Sequence, residues 1–135
     1  MITTSRQLPR SRLDRDDAGL AVRFRALEEP RRRRLACALV REALAELTVT
    51  LPPPILGLLG TAGIATPAQL AELDRQAASA GGPPVEADFR RSRIIAAARF
   101  ALSPQPRAAE EAVHEALRAR ASFANAIEAL RRRLD

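Results

Sequence analysis

The sequence predicts an all-α protein: a compact orthogonal or up-down bundle of about six to seven helices behind a short disordered Arg-rich N-terminal tail. Three observations carry this. Apolar residues recur at spacings of three and four in run after run, no segment alternates with period two over a useful length, and each run is bounded by Pro, Gly, Ser, Thr or Asp at positions that start or stop helices. Residues 1–12 are polar and unpatterned and form the expected basic tail; residues 13–135 form one expected helical domain.

Asp16 and Asp17 offer an N-cap to a short amphipathic helix whose stripe is Leu20, Phe24 and Leu27. Pro30 suits the first turn of a second helix, where its missing amide proton would be unpaired anyway. That helix is expected to reach about Leu47 and to bury Leu35, Leu39, Ala43 and Leu47. Arg31, Arg32, Arg33 and Arg34 stand in its first turn, where the positive end of the helix dipole disfavours cations. Either Glu28 and Glu29 offset the cluster or it has a use.

Thr48 to Pro53 reads as an extended linker, and Pro54 to Gly60 as a short helix of Ile55, Leu56, Leu58 and Leu59. The clearest start signal follows: Thr66, Pro67, Ala68 and Gln69 form a capping box with proline at the first helical position, opening a helix with Leu70 and Leu73 that is expected to stop at Gly81 and Gly82. Pro83 and Pro84 open the next. Val85, Phe89, Ile94, Ile95, Ala98 and Leu102, widened by Ala96, Ala97 and Ala101, mark it as the expected central helix. Beyond Pro104 and Pro106, a helix is expected to turn Ala109, Val113, Ala116 and Leu117 inward and Glu110, Glu111, Glu115 and Arg118 outward. Ser122 caps a last helix with Phe123, Ile127, Leu130 and Leu134 on its stripe, and Arg131, Arg132 and Arg133 at the end its dipole favours.

Composition narrows function by exclusion. The chain has 135 residues and a net charge of +6; normal apolar content (47%) argues against a disordered polymer, and the single Cys37 against a disulfide scaffold. All 22 basic residues are arginine, the usage of a GC-rich genome. The missing lysine removes Schiff-base chemistry, a phosphate-loop lysine and a lysine general base. Leu47 to Ala71 run 25 residues without a charge, but Pro52, Pro53 and Pro54 do not fit a membrane span. The first residues lack the apolar stretch of an export signal, so a cytosolic protein is expected.

Candidates for chemistry are few. Cys37, between alanines and leucines, reads as a small buried hydrophobe. His114, with Glu110 and Glu111 one turn before and Arg118 one turn after, reads as part of a solvated face. One His and one Cys cannot assemble a zinc site of the usual nitrogen and sulfur ligands within one chain. Adjacent acids such as Glu110 and Glu111 diverge by about 100° on a helix and do not converge on a metal or substrate. No catalytic residue, cofactor or metal is expected.

The stretch Leu59 to Leu73, with its Gly60, Gly63 and Thr66-Pro67 start, is similar to the second half of helix-hairpin-helix domains, which bind the DNA backbone without reading sequence. The Gly-x-Gly hairpin with its following basic residue is missing, and no basic residue lies between Arg41 and Arg75, so that function does not carry over. The favoured expectation is a non-enzymatic helical protein-interaction module, of the adaptor, inhibitor or accessory-subunit kind found among small bacterial helical proteins. It would act on a protein partner or as a homo-oligomer, through Leu51, Ile55, Leu56, Leu58, Leu59 and Ile64, with Arg31 to Arg34 as an electrostatic rim. The alternative is a basic nucleic-acid-binding regulator that gathers Arg31, Arg32, Arg33, Arg34, Arg90, Arg91 and Arg93 on one face.

Overall fold

The computed structural model describes residues 11–80 and 86–134, and among them the chain is all-helical. The helices are α1 (Arg12–Asp16), α2 (Ala18–Arg25), α3 (Glu29–Leu47), α4 (Pro53–Thr61), α5 (Pro67–Ala80), α6 (Glu86–Ala101), α7 (Ala108–Ala119) and α8 (Phe123–Leu134). The basic tail lies outside the described residues except for Ser11 and Arg12, which belong to the start of α1 rather than to a disordered segment. The stop at Gly81 and Gly82 and the start at Pro83 and Pro84 also lie outside them. No helix among the described residues is long and apolar enough to cross a membrane.

Local signals fix most boundaries. The Thr66 box closes reciprocally: the Gln69 amide donates to Thr66 Oγ1 at 3.1 Å, and the Thr66 amide to Gln69 Oε1 at 2.9 Å. Ser122 Oγ accepts from the Asn125 amide at the start of α8. Asp17 caps α2 through Leu20 N at 3.0 Å in extended backbone, which divides the single expected N-terminal helix into α1 and α2. Helix α4 runs one residue past Gly60 and ends at Ala62, whose φ of 54° is left-handed. Gly63 follows, where a Cβ would meet Leu58 Cδ2 at 2.8 Å and the leucine side chain would have to move aside.

The layers are set by small residues. Ala97, Ala98 and Ala101 of α6 and Ala112, Ala116 and Ala119 of α7 are all buried, letting these antiparallel neighbours lie close. Helix α5 folds back along α6, with Ser92 Oγ donating to Ala77 O and Arg99 paired with Asp74. Helix α3 packs across both α6 and α7. Its direction opposes α6: Arg33 donates to Ser103 O beyond the end of α6, while Glu46, at the other end of α3, attracts Arg90 near the start of α6. Helix α4 returns beside α3, so the Ala65 amide reaches Leu102 O at the same end as Arg33.

The central helix is α7, not α6. It packs on α6, α3, α1 and α8, and Glu110, His114 and Glu115, expected to face outward, are buried. The reason is α1, which lies over the polar side of α7 and was not expected to exist. A five-residue helix holding one apolar side chain, Leu13, leaves no periodicity to read.

Candidate partner-binding surface

The six residues expected to meet a partner separate into two sets. Leu51, Ile55 and Leu59, four residues apart, are 2%, 5% and 1% exposed and form the inner stripe of α4 and its lead-in. They are core, which corrects the expectation that the whole segment is offered outward. Leu58 is half-buried. Leu56 (38%) and Ile64 (54%) remain on the surface. Between α4 and α5 lies an open groove of about 210 Å³, bounded by Pro52, Pro54 and Ile55 on one side and Gln69, Glu72, Leu73 and Gln76 on the other. Its apolar wall is made by the proline run and by Leu73.

The basic residues fall into two clusters. Because α3 and α6 are antiparallel, Arg31 to Arg34 and Arg90 to Arg93 sit at opposite ends of the pair, about 20 Å apart at 1.5 Å per residue. A nucleic-acid ligand would have to span both clusters. Several of these arginines also have local tasks. Arg32 donates to Arg25 O (3.1 Å) and Leu27 O, satisfying carbonyls at the end of α2, and Arg33 donates to Ser103 O at 3.0 Å. Arg93 pairs with Glu115 at 2.7 Å and stacks over Phe89. Arg31, Arg34 and Arg91 are exposed. Phe89, Phe100 and Phe123 each carry an arginine over the ring, and Phe24 is fully buried, so the phenylalanines make no open stacking platform.

The structure adds a charged seam between α1 and α7. Arg25 forks onto Glu110 (2.5 and 3.0 Å) and reaches Asp14 at 2.5 Å, and these bonds hold its guanidinium above its ordinary value. Arg12 bonds Glu111 at 2.9 Å and Glu115 at 3.4 Å. Burial alone would raise the Asp16 carboxyl, but bonds from His114 (2.5 Å) and Arg118 (2.7 Å) outweigh it, and the group lies below the usual carboxylate range. An ionised carboxylate only accepts, so His114 Nδ1 carries the shared proton. The ring of His114 is therefore held against Asp16 by geometry that anchors α1, with no hydroxyl or thiol among its hydrogen-bond partners in the described residues.

Cys37 is 1% exposed on the inner side of α3; burial pushes its thiol up, against the opposing pull of Arg33 and Arg41, and keeps it a thiol rather than a nucleophile. No group of three or more His, Cys, Asp or Glu among the described residues is arranged to hold a metal ion. No buried side-chain polar atom there lacks a hydrogen-bond partner. Comparison with protein-family models, curated proteins and solved structures returned no match, so the surface speaks for itself.

Proposed function

We propose that this chain is a non-enzymatic helical protein-interaction module, an adaptor, inhibitor or accessory subunit that acts in the cytosol by binding a protein partner or a second copy of itself. The observation that carries this reading is the α4–α5 face. Two large aliphatic side chains, Leu56 and Ile64, are exposed on a segment without charge, and the same segment supplies Pro52, Pro54 and Ile55 to a groove closed on its other side by Leu73. The residues with intrinsic chemistry support it by their engagements: His114 is spent on Asp16, and Cys37 is packed as a hydrophobe.

The separation of the two arginine clusters favours a protein partner over a polyanion tracked along one continuous basic face. Replacing Leu56 and Ile64 together by Glu tests the reading. The variant should keep its circular dichroism spectrum and unfolding midpoint while losing its partner in affinity purification, or its own dimer in light scattering. Unchanged binding in a folded variant would refute it.

A further inference from the structure

The structure also carries a surface outside the α4–α5 groove. Arg31, Arg34 and Arg41 are exposed on α3, and none has a hydrogen bond or ion pair among the described residues. With Ala38 and Ala45 they follow at spacings of three and four, so they share the outer face of one helix and span about 15 Å along its axis. Two acids further along α3 are engaged elsewhere, Glu42 with Arg133 of α8 and Glu46 with Arg120 after α7, while Glu28 and Glu29 stand exposed at the start of the helix without an ion pair to the row. Arg31 also opposes the dipole in the first turn of α3, where Glu29 is the opposing charge and the N-cap Glu28 makes no capping bond. Among the described residues this row of cations thus has no hydrogen-bonded or ion-paired carboxylate of its own, in contrast to nine other arginines there that meet carboxylates.

We infer that the outer face of α3 docks an acidic amphipathic helix of a partner protein, with its carboxylates on Arg31, Arg34 and Arg41. Charge selects an acidic ligand. Ala38, between Arg34 and Arg41, and Ala45, one turn beyond Arg41, select a helix, because small side chains along the row let a second helix approach closely. The face lies near the other proposed surface at one end: Ile64 precedes Ala65, whose amide bonds Leu102 O, and Arg33 bonds the next carbonyl, Ser103 O. The inference rests on the partner-binding reading only in taking the ligand to be a protein.

The test uses the full chain and a fluorescein-labelled, Ala-rich helical peptide whose glutamates repeat every three and four residues, followed by anisotropy at ~50 and ~200 mM salt. Binding should weaken at the higher salt. Three exposed charge contacts together predict a loss of about threefold to a hundredfold in the triple variant Arg31→Gln, Arg34→Gln, Arg41→Gln. The equally charged control Arg15→Gln, Arg91→Gln, Arg132→Gln should lose less than about twofold. Equal losses in both triples, or no peptide binding, would overturn the inference, as would tighter binding of duplex DNA through the same three arginines. The Leu56→Glu, Ile64→Glu variant should retain the peptide, so failure of the α3 face and failure of the α4–α5 reading are separately visible.

Discussion

The polar side of α7, mostly acidic, and the outer side of α3, mostly basic, are both rich in charge and end in opposite states. On α7, Glu110, Glu111, His114, Glu115 and Arg118 all meet partners supplied by α1, α2 and α6. On α3, Arg31, Arg34 and Arg41 face water with no partner in the described residues. The difference lies in what covers each helix. A five-residue helix with one apolar anchor, Leu13, and one cation and two carboxylates at Arg12, Asp14 and Asp16 turns the first face into an internal seam. A charge pattern in a sequence therefore does not say whether the charge is surface or structure; its coverage does.

The same residue type gives the sharpest contrast. Arg25→Gln leaves Asp14 and Glu110 facing each other without their shared cation, and should destabilise the fold by about 3 to 5 kcal/mol in urea unfolding. Arg34→Gln should remove nothing the fold uses. Comparable losses from the two would erase the distinction between seam and surface.

Asp16→Asn comes next, at about 2 kcal/mol near neutral pH, the value of charge-assisted bonds to a carboxylate. Because the folded-state value of Asp16 is depressed, its contribution is present above the ordinary carboxylate range and is lost as pH falls through that range and below. Asp17, held by the Leu20 amide and Arg131, adds to the same acid limb. Unfolding followed from pH 6 to about pH 3 should therefore show a shallower decline in Asp16→Asn than in the parent chain. A parallel decline would detach Asp16 from acid stability.

The smallest effect has the opposite sign. Neutralising Arg31 should raise the melting temperature slightly, since it opposes the dipole in the first turn and has no partner to lose among the described residues. A fall would mean that the α3 face is structural after all.

The fold was legible wherever its signal fits within one or two turns. The Thr66–Gln69 box and the Phe123, Ile127, Leu130 and Leu134 stripe are complete in the local sequence, and both stand as expected. The candidate surface was legible only in outline. Leu56 and Leu59 sit in a helix with no charged residue, so nothing in α4 marks which leucine faces inward. The burial of His114 depends on Asp16, 98 residues away in sequence, and the division of the basic residues depends on the antiparallel run of α3 and α6. Pairings across such distances leave no local pattern.

The central claim, that the α4–α5 face is where this chain meets a protein, is tested most directly by photocrosslinking from single positions. A photoreactive residue is placed at 56 or 64 in the producing cell, with position 22 as control because Val22 is equally apolar and 61% exposed. One discrete adduct from positions 56 and 64, to another protein or to a second copy, and none from position 22 is the predicted result. No adduct from 56 and 64, or the same adducts from 22, would contradict it.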